Sequence, residues 1–154
     1  MYDVVIIGAG VIGASIFREL TKYNLKIAVV EKENDVAMGA TKANSAIIHA
    51  GYDPRVGSLM AKYNVKGNEM FESLCKELSV PFKRIGSLVL AFNNEELNLI
   101  NTLFINGKNN GVKNLKILSR DEVLLLEPNI SKDIIGALYA PTSGIVGPFE
   151  YTIA

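Results

Sequence analysis

Three glycines and one carboxylate near the start of the chain carry its most specific chemistry. The stretch "VVIIGAGVIGASI" sets Gly8, Gly10 and Gly13 in a GxGxxG pattern, and Glu31 closes the next apolar run, "IAVVEK". A loop of this kind, between a strand and a helix, suits a dinucleotide. Gly8 permits the tight turn, Gly10 lets backbone approach a pyrophosphate, and Gly13 lets the helix pack on the strand. The helix start, at Val11 and Ile12, offers unsatisfied N–H groups and a partial positive charge to the phosphates. Glu31, with Lys32 beside it, can accept a ribose 2′-OH and would repel a 2′-phosphate, which disfavours NADP. The competing reading is a glycine turn in an α/β protein that holds no ligand. The pattern alone does not separate NAD from FAD, since both carry an adenosine and a pyrophosphate.

The elements that must position these residues follow from periodicity. Tyr2–Ile7 is an apolar run expected to form a strand buried on both faces. Ile12–Tyr23 has a helical spacing through Ile12, Ile16 and Leu20, and Leu25–Val30 is a second strand. Together they make a βαβ unit of about thirty residues. Residues 33–56 hold few periodic apolar positions and read as a long functional loop, with a short helix beginning near Thr41. Ser58–Leu78 is helical, with Met60, Tyr63, Phe71, Leu74 and Leu78 near one face. Gly67, in mid-helix, is expected to mark close packing. Cys75 is expected to be a small buried residue.

Beyond residue 80 the pattern changes. Strands are expected at 86–92, 115–118 and 136–140, with a helix over 94–111 that aligns Leu97, Ile100 and Phe104. Ser119 and Glu122 are spaced for a capping box, and Pro128 stops the helix they begin. Pro148 suits the first turn of a last helix.

Composition narrows the function classes. The 154 residues are 49% hydrophobic and 21% charged, and 16 basic side chains balance 16 acidic ones. This is a globular composition without a basic stripe, so no nucleic-acid partner is expected. One cysteine and one histidine give no disulfide framework and argue against a metal site. No secretory signal or membrane-spanning run is read. The expected location is cytoplasmic, with peripheral contact at the inner face of the membrane as the alternative.

The stretches "GATKANSAIIHAG", "VPFKRIGSLVLAF" and "ALYAPTSGIVGPFEYTIA", with the glycine turn, resemble the N-terminus of FAD-dependent oxidoreductases of the D-amino-acid oxidase superfamily. Within it the likeness is nearest to anaerobic-type glycerol-3-phosphate dehydrogenases and L-2-hydroxyglutarate oxidases. The resemblance runs over essentially the whole chain, and the loop from Gly39 to Gly51 is its most specific part. It implies FAD, with Gly8, Gly10 and Gly13 at the pyrophosphate and Glu31 on the adenosine ribose. It implies that Ala40, Thr41, Asn44 and Ser45 line the pyrophosphate and ribityl chain, and that the segment through His49 to Gly51 passes beside the isoalloxazine. Lys42 faces a phosphate or, on the commoner alternative, solvent. His49 has two readings: a base that takes the alcohol proton as hydride leaves carbon, or a residue that orients its loop through a backbone carbonyl. Arg84 is read as a surface ion pair before an anion receptor.

The implied fold class is α/β: a Rossmann-like FAD-binding βαβ domain interleaved with the beginning of an α+β substrate-binding domain. The expected segments are 1–80 in the FAD-binding domain, 81–147 in the substrate-binding domain and 148–154 returning to the first. The resemblance implies oxidation of a small anionic 2-hydroxy compound, foremost sn-glycerol 3-phosphate, with electrons passing to a quinone or partner subunit. It also implies that residues 1–154 are part of a longer enzyme, inactive alone, and completed by further chain, a second copy or another subunit. The alternatives are an L-2-hydroxyglutarate or amino-acid oxidase, or a non-catalytic dinucleotide-binding module.

Overall fold

The opening apolar run forms β1 (Val4–Ile7), and the run ahead of Glu31 forms β2 (Ile27–Val30) in the computed structural model, which describes residues 1–154. The two strands pair in parallel, Val4 opposite Ile27 through Ile7 opposite Val30. Between them lies α1 (Val11–Leu20), the crossover that a parallel pair requires. The helix ends at Leu20, short of Tyr23, where Thr21 caps it and turns close at Lys22 and Tyr23.

Contacts divide the chain into two compact units. The first comprises Met1–Ile47, Ser73–Phe82 and Val146–Ala154, and the second Ile48–Glu72 and Lys83–Ile145. This packing runs along different lines from the sequence segments 1–80, 81–147 and 148–154, because residues 48–72 fold with the second unit. In the first unit α5 (Pro148–Ile153) packs on α1, with Pro148 in its first turn. Large apolar side chains there face outward, including Val5 at 52% and Ile7 at 88% exposure.

The second unit is built on an antiparallel sheet of β5 (Ser87–Ala91), β7 (Gly136–Ala140) and β6 (Lys116–Ser119), with β7 in the middle. Period-two alternation gives it two apolar faces. Val89, Ala91, Leu138 and Ala140 join α3 (Asn94–Asn109), through Leu97, Ile100, Leu103 and Phe104, in one cluster. Leu88, Leu90, Leu118 and Ala137 join Val123 of α4 (Arg120–Leu126) and Ile134 in another. The capping box closes as the spacing predicts, with Ser119 N–H donating to Glu122 at 2.8 Å. Short strands β3 (Ile47–Ile48), β4 (Phe82–Lys83) and β8 (Gly144–Val146) stand where the chain passes from one unit to the other.

Four expectations need correction. The first strand is not buried on both faces: Val5 and Ile7 are exposed, because β1 pairs only with β2 in a two-stranded sheet. No helix begins near Thr41; residues 33–46 form turns only, Lys42 N–H to Gly39 O and Ala43 N–H to Ala40 O. The Asn44 amide takes the Ala40 and Thr41 carbonyls and its oxygen takes the Ala46 N–H, so side-chain bonds compete with helical ones. The buried stripe of α2 (Leu59–Glu77) runs through Ala61, Asn68 and Cys75, while Met60 and Tyr63 are exposed. Gly67 marks no close packing: a Cβ there would meet nothing within 4 Å. Gly67→Ala is therefore expected to stabilise the protein by about 0.5–1 kcal/mol. Urea denaturation checks this, and a loss of stability would mean that the position is tighter than it looks.

Candidate functional site

The glycine turn is shaped by one close approach. A Cβ on Gly13 would lie 1.9 Å from the Gly8 carbonyl oxygen and 3.4 Å from Ile6 Cγ2. Only glycine lets the first turn of α1 rest on the end of β1. Gly8 itself has φ +100°, a conformation that side-chain-bearing residues rarely adopt. Its N–H donates to Val30 O at 2.8 Å, which carries the strand pairing up to the turn.

Gly10 is the N-cap of α1 and has no side chain with which to cap it. Thr41 supplies the missing acceptor: its hydroxyl oxygen takes the Val11 N–H at 3.1 Å. A Cβ on Gly10 would stand 3.2 Å from that same oxygen. The loop is tied down a second time where Ala37 N–H donates to Ala9 O at 3.0 Å, with Ala37 fully buried. The N–H groups of Gly10, Ile12 and Gly13 have no partner within the chain, and the positive end of the helix lies behind them. This is an anion cradle made of backbone.

Glu31 completes the turn from the other side. One carboxylate oxygen accepts the Ala9 N–H at 2.7 Å, and the other accepts Lys32 N–H at 2.9 Å and Glu33 N–H at 3.1 Å. The Ala9 bond first, then those from Glu33 and Lys32, hold its pKa below the usual carboxylate range. A carboxylate offers about four acceptor sites, so three bonds leave room for one more donor. Beside it Ala9, Val29, Glu31, Glu33, Asn34, Asp35 and Val36 line a cleft of 340 Å³.

The remaining predicted residues divide between the two units. Ala40, Thr41, Asn44 and Ser45 lie in the first unit, on the loop tied to the glycine turn. Lys32 and Lys42 are exposed, and Lys32 pairs with Glu33 at 3.3 Å. His49 and Gly51 belong to the second unit. The His49 side chain is exposed while its carbonyl accepts from Asn68 at 2.9 Å. Gly51 has φ +104°, and a Cβ there would come within 2.8 Å of Val65 Cγ2, so packing alone demands glycine. Arg84 pairs with Glu72 at 3.4 Å, as an ion-pair reading expects, and also binds Asn68 and Thr142. Sequence reasoning missed Asn68, whose only signal is a polar residue on the inward stripe of a helix.

Comparison with known proteins agrees with this geometry. The family described as FAD dependent oxidoreductase (DAO) matches residues 3–154. The chain belongs to this family. A glycerol 3-phosphate dehydrogenase of Caloramator mitchellensis is 62% identical over 154 residues, which are 100% of this chain and 32% of that protein. The mitochondrial L-2-hydroxyglutarate dehydrogenase of Dictyostelium discoideum is 38% identical over 95% of this chain and 33% of its own length. Among solved structures, the dithionite-reduced L-α-glycerophosphate oxidase of Mycoplasma pneumoniae with FAD bound superposes with a TM-score of 0.91 at 34% identity. That match covers 99% of this chain and 40% of the other. The chain thus spans about a third of the length of its curated relatives. FAD is the cofactor that the family's description names, and the bare glycine turn, the unpartnered N–H groups and Glu31 fit its adenosine and pyrophosphate. No helix of the chain is long and apolar enough to cross a membrane.

Two predictions follow from the turn. Gly13→Ala is expected to destabilise the protein by about 1–3 kcal/mol or more, the usual scale of overpacking, and to abolish FAD binding as read by flavin fluorescence. Retained binding would show that α1 can shift without cost to the cradle. The folded-state pKa of Glu31 is depressed, so its bonds stabilise the protein above the ordinary carboxylate range and are lost as pH falls through the lowered value. Glu31→Gln should therefore be less stable than the parent at neutral pH, with the gap closing in acid. Urea midpoints measured from about pH 7 to pH 3 check this, and a gap independent of pH would count against it.

Proposed function

We propose that this chain contributes the adenosine–pyrophosphate seat and a general base to an enzyme that oxidises sn-glycerol 3-phosphate to dihydroxyacetone phosphate. The observation that carries the reading is the 62% identity to a glycerol 3-phosphate dehydrogenase over all 154 residues. The lower identity to an L-2-hydroxyglutarate dehydrogenase makes 2-hydroxyglutarate the second substrate to test.

FAD, when bound, supplies the two-electron oxidation by accepting hydride from the carbinol carbon. The chain's own residues do the rest. The N–H groups of Gly10, Ile12 and Gly13 bind the pyrophosphate, with the dipole of α1 behind them. Glu31 takes one ribose hydroxyl at its remaining acceptor site; gripping a second would require it to release a backbone N–H. Thr41 keeps the loop of Ala40, Asn44 and Ser45 against the turn. His49 accepts the substrate's hydroxyl proton on its imidazole, the side chain most often placed for that work. Its exposed side chain leaves the ring free to meet a substrate. Arg84 is not assigned to the substrate phosphate, because its guanidinium already holds Asn68, Thr142 and Glu72. Unit one is read as part of the FAD-binding domain and unit two as part of the substrate-binding domain. The electron acceptor is proposed to be a quinone or a partner subunit.

The test is a chimera. These residues replace the matching third of the Caloramator mitchellensis glycerol 3-phosphate dehydrogenase, and glycerol 3-phosphate is compared with L-2-hydroxyglutarate in a dye-reduction assay. Flavin retention with turnover on glycerol 3-phosphate is expected. Preference for L-2-hydroxyglutarate, or an inactive flavin-free product, would overturn the assignment. His49→Ala in the chimera is expected to lower turnover about 10²- to 10⁴-fold with flavin retained. An undiminished rate would leave His49 as loop support.

A further inference from the structure

The second unit contains a polar network around the buried Asn68 that the cofactor seat does not use. Asn68, on α2, is 5% exposed. Its amide nitrogen donates to two carbonyls from distant parts of the chain, His49 O at 2.9 Å and Thr142 O at 2.9 Å. Its side-chain oxygen accepts Arg84 Nη1 at 3.1 Å, and its backbone carbonyl accepts Arg84 Nη2 at 3.3 Å. Arg84 Nη1 also donates to Thr142 O, and Nε faces Glu72 Oε2 at 3.4 Å. Both amide hydrogens and the amide oxygen of Asn68 are therefore used. A planar guanidinium holds the amide in the one rotamer that points its NH₂ at the His49 carbonyl.

This arrangement costs something to maintain. A buried amide that loses a partner leaves the other group desolvated and unpaired, and helix interiors do not favour asparagine. An apolar residue on the inward stripe of α2 would avoid both costs. What asparagine adds is a fixed place for the backbone that carries His49. The residues just after it are held too: Ala50 is buried in the core cluster, and the Gly51 carbonyl accepts Asn110 Nδ2 at 3.0 Å. The backbone is thus pinned at His49 and again at Gly51, while the imidazole stays exposed.

We propose that Asn68, held by Arg84, is a positioning residue that sets the backbone of the His49 turn and through it the direction from which the imidazole meets a substrate hydroxyl. The inference rests on the reading of His49 as the base. Proton transfer needs hydrogen-bond reach, and a displacement of about 1 Å can cost about a hundredfold in rate. Arg84, a surface ion pair by its sequence context, becomes the part that orients Asn68.

One arm of the test needs no cofactor. The chain has a single histidine, so its imidazole Cε1–H gives one NMR signal without ambiguity. In the 154-residue chain, Asn68→Ala is expected to shift that signal and the His49 carbonyl carbon, and to speed amide exchange at Ala50 and Gly51 roughly five- to tenfold. Arg84→Lys keeps the charge but not the fork, and should move the same signals less; it serves if Asn68→Ala does not fold. Glu69→Ala, on the same helix, removes only an exposed pair with Lys113 and should move none of them. Unmoved His49 signals in both clamp variants would overturn the proposal. The second arm is the chimera with FAD. Asn68→Ala is expected to lower kcat about a hundredfold with KM for glycerol 3-phosphate within about threefold and flavin stoichiometric. Combined with His49→Ala it should add little, since one residue acts through the other. Full additivity would overturn the positioning role. An undiminished rate in His49→Ala alone would instead remove the base reading, and the NMR arm distinguishes that failure from failure of the clamp.

Discussion

Everything in the first unit depends on how closely α1 approaches β1. The Gly8 carbonyl stands where a Cβ of residue 13 would be, 1.9 Å from it, so the crossover helix can start directly above the strand end. That contact brings the positive end of α1 and its unpartnered N–H groups to the mouth of the parallel pair. A side chain at residue 13 would lift the helix away and with it the cradle. The Rossmann-like seat is thus an excluded-volume effect before it is an electrostatic one.

Making the turn from glycine has a structural consequence elsewhere. Gly10 cannot cap its helix, so the Val11 N–H donates to the hydroxyl oxygen of Thr41, far along the chain. Ala9 is held on both sides, its N–H by Glu31 and its carbonyl by Ala37. A bare turn is in this way made rigid by residues from the following strand and the following loop. The same bonds make Glu31 a structural group, which accounts for its lowered pKa. Three backbone bonds occupy its carboxylate, so about one acceptor site is left for any further donor.

The second unit solves a different problem. Its sheet is apolar on both faces and is covered by α3 on one and α4 on the other, so its stability comes from ordinary burial. The polar network of Asn68 and Arg84 stands apart from that core. Its bonds tie α2 to the loops at His49 and Thr142, and exposed ion pairs of the kind Arg84 makes with Glu72 contribute little on their own. Fold does not fix chemistry; the proposed role of this unit rests on how the His49 loop is held.

Much of this was legible in the residues themselves. The GxGxxG spacing, the strand ahead of it and Glu31 behind it determine a βαβ unit, because each glycine answers a local steric demand. The alternation in β5 and β7, the stripe of Leu97, Ile100 and Phe104, and the Ser119–Glu122 box are likewise local patterns with local causes. The tertiary structure alone decided what depended on distant partners. Thr41 caps α1 instead of starting a helix, because its hydroxyl finds an orphan N–H across the fold. Asn68, not Met60 or Tyr63, lies on the buried stripe of α2, because carbonyls of His49 and Thr142 and the Arg84 fork await it there. Gly67 lacks the neighbours that its mid-helix position suggested. A side chain's preference for water or core is written in its type, but the partner that satisfies a buried polar group is set by where the rest of the chain has gone.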